Sequence, residues 1–240
     1  MRWIFISPHL DDAILSAGGL IFERARSGDA VEIWTLACGF PPEGESSPLA
    51  QALHTQWGFR SAGEAIRSRR AEDQRAAALA GASVHHFDFL DCIYRRDAAG
   101  EWLYPQNTFI PIRRDDDSLP TLMMTALSER LQPDDMVLCP LALGGHVDHV
   151  IVRQAVENLR RPLWYYADFP YLLADPALKA AGQMQPQRQS ITLKGLVAWQ
   201  KAASSYVSQI AMEFETPWKM RWQIAVYWQR GLYLWKWRAD

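Results

Sequence analysis

The chain has 240 residues, 49% of them hydrophobic, and a formal net charge of -2. That content suffices for one substantial core, while the balanced charge argues against the broad cationic face of a nucleic-acid binder. No apolar stretch approaches the roughly 20 residues that a membrane helix needs.

The opening segment "MRWIFIS" is β-prone, and Pro8, His9 and two acids interrupt it too soon for a signal peptide. From Asp11 to about Arg26, Ile14, Leu15, Ala17, Gly18, Ile21, Phe22 and Ala25 recur at helical spacing, and Ser27-Gly28-Asp29 stops the helix. "AVEIWTLAC" follows as a buried strand, which gives a strand, helix, strand crossover. Residues 40 to 63 carry six turn-forming residues in "PPEGESSP" and predict a long surface loop with a short helical piece. "IRSRRAEDQRAAALAGA" predicts a helix and "SVHHFDF" a third strand. Between Leu90 and Pro120 periodicity fails, so a folded excursion over one edge is expected. "TLMMTALSERL" predicts a helix, "DDMVLCP" a strand, "HVDHVIVRQAVENLRR" an amphipathic helix and "PLWYYAD" a fifth strand. "ITLKGLVAWQKAASSYVSQIAMEF" reads as helical throughout.

Residues 217 to 240 hold five of the eleven tryptophans, and in "GLYLWKW" the aromatics alternate as on a strand. An edge hairpin or a subunit contact suits them better than a sugar shelf. The alternation of β and α elements predicts an α/β fold: a Rossmann-like three-layer α/β/α sandwich with a mostly parallel sheet. Residues 1–240 read as a single domain with an aromatic-rich tail at 215–240. Cys38, Cys92 and Cys139 lack any C-x-x-C spacing and read as buried thiols of a reducing compartment, which predicts a cytoplasmic protein.

Such sheets bind ligands beyond the carboxyl ends of their strands. Two polar clusters fall there. His9-Leu10-Asp11-Asp12 follows the first strand, and "GGHVDH", Gly144 to His149, follows "DDMVLCP". An aspartate before an apolar helix often serves only as its cap, but H-x-D-D and H-x-D-H at two strand ends suit a metal site. Imidazole and carboxylate are ligands Zn²⁺ accepts, and a catalytic zinc takes three with one position left for water. Fe²⁺ suits the same donors. Two histidines and one aspartate fill that count and leave an acid for proton transfer and an imidazole for charge stabilisation. No G-x-G-x-x-G follows the first strand, so a dinucleotide site is disfavoured.

"PHLDD" paired with "HVDH" resembles the LmbE-like or PIG-L-like de-N-acetylases, zinc enzymes acting on N-acetylglucosamine-type sugars. "RRAEDQRAAALAGA" is similar to that family's R-x-x-E helix, and "CPLALGGHVDH" and "KAASSYVSQ" match further segments, so the resemblance covers most of residues 1 to 210. It implies that His9, Asp12 and His149 ligate the metal, that Asp11 is general base and then acid, and that His146, as an imidazolium held by Asp148, stabilises the oxyanion. Leu10 and Ala13 stand where family members often have proline and glutamate; neither removes a ligand.

On the substrate side, Arg69, Arg70, Asp91, Arg95 and Tyr165 are candidate contacts for a sugar or glycoconjugate. The expected activity is hydrolytic N-deacetylation of such a small molecule. Alternatives are a zinc amidohydrolase acting on a thiol-sugar conjugate or antibiotic intermediate, and a non-catalytic sugar-binding module. Homo-oligomerisation is left open.

Overall fold

The computed structural model describes residues 1–173 and 181–237. Five strands are parallel: β1 (Arg2–Ser7), β2 (Ala30–Ala37), β3 (Ser83–Phe89), β4 (Met136–Pro140) and β5 (Leu163–Tyr166). β6 (Gln185–Gln189) and β7 (Leu232–Lys236) extend the sheet by antiparallel pairing, giving the order β3-β2-β1-β4-β5-β7-β6. β1 is buried from Trp3 to Ser7 because helices cover both faces of a central strand, which is why its sequence runs apolar without alternation. The expected three-layer α/β/α sandwich is the fold observed.

Helices α1 (Asp12–Arg26), α3 (Ala62–Ala80) and α6 (Leu193–Ala203) pack on one another, as do α4 (Leu119–Ser128) and α5 (Val147–Glu157). The two groups lie on opposite faces, as right-handed crossovers running outward in both directions from β1 and β4 require. The chain therefore reverses its winding between β1 and β4, and the two polar clusters stand at the carboxyl ends of those neighbouring strands.

Two later stretches differ from the expectation, while residues 40 to 63 hold the expected helical piece as α2 (Pro48–Trp57). Ser47 caps it by accepting the Ala50 N–H at 3.0 Å, Pro48 opens it, and Gly58 closes it at φ 79°. The helix expected over 191–214 is two, α6 and α7 (Val207–Phe214), broken at Ser204-Ser205-Tyr206. Past it, the tail folds as α8 (Pro217–Arg230) followed by β7. β7 is no edge: β6 lies outside it, while β5 pairs Tyr165 with Trp235 on the inner side. Trp235 is buried and Trp237 is exposed.

The seam between α1 and α6 explains two adjacent glycines in mid-helix, normally a poor choice. Trp199 of α6 is fully buried, and its indole N–H donates to the Ile14 carbonyl at 2.6 Å. A Cβ on Gly18 would stand 2.5 Å from Trp199 Cδ1. Gly18→Ala is expected to destabilise the fold by ~1–3 kcal/mol despite better helix propensity, read as a lower urea midpoint. An unchanged midpoint would show that the seam has slack.

Candidate metal centre and its cavity

His9 leaves β1, Asp11 and Asp12 open α1, and His146 and His149 open α5. Asp12 Oδ2 lies 3.2 Å from His9 Nδ1 and 3.4 Å from His149 Nε2. Donors about 2.0–2.1 Å from one tetrahedral zinc stand roughly 3.3 Å apart, so this spacing fits a shared ion. Ring nitrogens of His9, His146 and His149 also lie within 4.8 Å of one another.

The remote nitrogens are equally constrained. His149 Nδ1 meets Asp168 Oδ1 at 2.7 Å, and His9 Nε2 meets Asp148 Oδ2 at 3.1 Å. A carboxylate behind each ligand imidazole is the arrangement that fixes tautomer and ring orientation at metal sites. Burial pulls His149 down, yet Asp12 and Asp168 outweigh it and raise it to about 10. Burial likewise works against ionised Asp12, but His149 and His9 hold its carboxyl well below the usual range. This anionic setting favours a bound cation.

Asp11 sits beside the cluster without joining it. Its carboxylate is 3.6 Å from the Arg69 guanidinium, which stacks over Trp57 at 4.7 Å. Burial pushes the Asp11 carboxyl up, Arg69 opposes, Asp12 adds to the rise, and the balance is about 7. Such a group changes protonation near neutral pH.

The expected partnership of Asp148 with the His146 ring is corrected. Asp148 is fully buried behind the site, gripping His9 and forming an ion pair with Arg95 at 2.6 Å, and it accepts the Cys92 N–H at 2.9 Å. His146 instead caps α5: its Nδ1 accepts the Asp148 backbone N–H at 3.3 Å, which leaves the ring proton on Nε2. Burial, with His9 and His149 adding, lowers His146 to about 3, so it is a neutral donor and not the expected imidazolium.

His9, Asp11, Asp12, His146 and His149 line one side of a cavity of about 370 Å³. Its other walls come from Leu49, Leu53 and Trp57 of α2, the Gln106–Phe109 stretch, Tyr171, and Gln209, Met212 and Glu213 of α7. Gly144, at φ 81°, makes the turn that lets Tyr171 approach, since a Cβ there would lie 2.7 Å from the Tyr171 ring.

A family model described as GlcNAc-PI de-N-acetylase (PIG-L) matches residues 4–159, from β1 through α5 and across both polar clusters. The chain belongs to this family. It is 29% identical over 220 residues to the 2'-N-acetylparomamine deacetylase of Streptomyces fradiae, covering 86% of this chain and 72% of that protein. A Niallia circulans protein of the same name is 28% identical over 189 residues, covering 70% and 67%. The fold is similar to that of teicoplanin deacetylase Orf2 in its zinc-inhibited form, with a TM-score of 0.81 and 24% identity over 98% of this chain and 97% of that one.

The substrate-side expectations divide within this PIG-L-family chain. Arg69 and Asp91 line the cavity. Arg70 does not: one position along α3 it turns to the sheet, donating to the carbonyls of Cys38 and Phe87 and pairing with Asp88. Arg95 is also corrected, being buried between Asp148 and Asp116 as the pin of the 90–120 excursion. Tyr165 is fully buried with its hydroxyl on Glu157, away from the cavity. The aromatics beside the cluster are Phe109, whose ring centroid is 5.3 Å from that of His146, and Tyr171, 6.0 Å from that of His149. Asp168 was missed by sequence reasoning, although a carboxylate just past a strand's carboxyl end was a usable signal. Gln209 and Glu213 gave none, being polar residues within an apparently ordinary helix. Cys38, Cys92 and Cys139 are free and buried, and among the described residues no helix is long and apolar enough to cross a membrane.

Proposed function

We propose that this chain is a zinc-dependent hydrolase that removes the acetyl group from an N-acetylglucosamine-type sugar or glycoconjugate, working in the cytoplasm as one domain of residues 1–240. His9, Asp12 and His149 would hold the ion. The observation that carries the proposal is the convergence of their three donors, two of them backed by Asp148 and Asp168, at the mouth of a sugar-sized cavity. The names of the curated relatives support the deacetylase reading, and the zinc-inhibited form of the similar teicoplanin deacetylase supports a metal site without choosing the working metal. Fe²⁺ would serve with the same donors.

Bound there, the metal supplies Lewis acidity toward the acetamide carbonyl and acidifies a water. Asp11, on the cavity wall and outside the ligand set, takes the proton from the attacking water and returns it to the departing nitrogen. His146 donates its Nε2–H to the carbonyl oxygen as negative charge develops. Arg69 holds the Asp11 carboxylate in place, and Asp91 is placed to meet a substrate hydroxyl.

The apolar run Leu49, Leu53 and Trp57 favours a second version of the same chemistry, on an amide attached to a bulkier apolar body such as an antibiotic intermediate or a thiol-sugar conjugate. Metal analysis of purified protein, with amine release from a panel of N-acetyl sugars and antibiotic conjugates, tests both. Stoichiometric metal without release of any amine would reject them in favour of a non-catalytic sugar-binding module.

Asp168→Asn is expected to weaken metal affinity about 10- to 100-fold by releasing the His149 ring, measured by competition with a chromogenic chelator. Affinity equal to the parent would remove Asp168 from the centre.

A further inference from the structure

Gln209 is 2% exposed and yet lines the cavity, which is where a polar side chain needs a reason to be. Its surroundings fix which way its amide points. Ser208 donates its backbone N–H to Glu72 Oε1 at 2.9 Å and its hydroxyl to Glu72 Oε2 at 2.6 Å. A carboxylate can only accept, so the single hydroxyl proton of Ser208 is committed to Glu72, and Oγ has only lone pairs left to offer. Gln209 Nε2 fills that role by donating to Ser208 Oγ at 2.8 Å. The flipped amide would set two acceptors against each other. The Gln209 carbonyl oxygen, Oε1, therefore faces away from Ser208, and among the described residues no protein donor meets it.

The relay is built into the fold. Tyr206, the residue before α7, supplies no side-chain cap, and the Glu72 carboxylate of α3 caps the helix from outside. Tyr206 is itself tied to α3 through its hydroxyl on Asp73 at 2.8 Å. Glu72 is three residues from Arg69, on the same side of α3, so one turn of helix holds both Asp11 and the helix that carries Gln209.

We propose that Gln209 is a specificity-determining residue that reads a ring hydroxyl of the sugar, accepting its O–H at Oε1 while the second Nε2–H serves a neighbouring oxygen. Ser208, fixed by Glu72, is the positioning residue that sets the amide. The proposal rests on the sugar-deacetylase reading above. It accounts for a buried, cavity-lining amide whose acceptor meets no protein donor among the described residues, next to a carboxylate whose hydrogen bonds are directed at Ser208.

The test uses the metal-loaded full-length protein, its Gln209→Ala, Ser208→Ala and double variants, and the methyl glycoside of N-acetylglucosamine with its monodeoxy analogues. The parent is expected to lose about tenfold in kcat/KM on one deoxy analogue, mainly through KM, and Gln209→Ala to treat that analogue and the full sugar alike to within about twofold. Ser208→Ala is expected to raise KM about threefold alone and to add nothing on top of Gln209→Ala. Unchanged discrimination in Gln209→Ala overturns the role of Gln209, and additive losses overturn that of Ser208. Gln209→Met, of similar volume, replaces alanine if that variant does not fold. If the parent releases no amine from any of these sugars, the deacetylase reading falls separately, and calorimetric titration of the same sugars decides Gln209. A binding preference for the full sugar that vanishes in the variant upholds it, whereas the same preference in both proteins, or no binding of any sugar, overturns it.

Discussion

Asp11→Asn is expected to keep its metal and lose turnover by about 10²- to 10⁴-fold, the range general-base catalysis contributes. The amide is nearly the same size as the carboxylate, so the cavity wall and the neighbouring Arg69 stay in place, while the group that accepts and returns the proton is gone. None of the close contacts that define the metal cluster involves Asp11; its ion pair is with Arg69. Metal content by mass spectrometry should match the parent while kcat falls and KM changes little. Parent-like activity in this variant would take the proton-transfer role away from Asp11.

His149→Ala is expected to do the opposite, emptying the site. It removes one of three donors, so affinity should fall by more than the roughly 10- to 100-fold that loss of an outer partner costs. It also strands Asp168, a buried carboxylate that then keeps, among the described residues, the Leu143 N–H at 3.0 Å. Removing one member of a buried hydrogen-bonded pair leaves the other desolvated, so a loss of about 3 kcal/mol in stability should accompany the loss of metal. Dialysis against stoichiometric zinc followed by metal analysis and urea unfolding checks both. Retention of full metal content would transfer the ligand role to another residue, His146 being the imidazole at hand.

How much of this could be read beforehand depends on the range over which each feature is determined. β1, β2 and β4 announced themselves because burial on both faces demands continuous apolar runs. β6, "QPQRQ", could not, since as an exposed edge strand it has no apolar face to encode, and its Pro186 is tolerated only at an edge. The convergence of His9, Asp12 and His149 was legible because they sit within a few residues of two strand ends. The partners behind the ligands were not: Asp148 grips His9, which is 139 positions away, in place of His146, two positions away. Arg69 and Arg70 show the same limit more finely. Successive residues on a helix point about 100° apart, so one reaches Asp11 and the other the carbonyls of β2 and β3, and only the packed direction of α3 decides which. Tyr165 of β5 is a candidate by its place near a strand end, yet a strand in a covered sheet turns both its faces into helices, and the rings at the site come from Phe109 and from Tyr171 in the turn beyond.

The reversal of winding between β1 and β4 has a consequence for how such a protein diversifies. The candidate metal residues are anchored to two adjacent strand ends deep in the sheet, whereas the cavity walls opposite come from α2, the 90–120 excursion and α7, segments spliced between or after the sheet's elements. Lengthening or replacing any of these segments alters the shape offered to a substrate and leaves the reactive centre standing. Selection can thus rebuild what the protein recognises piece by piece, while the bond it breaks stays the same.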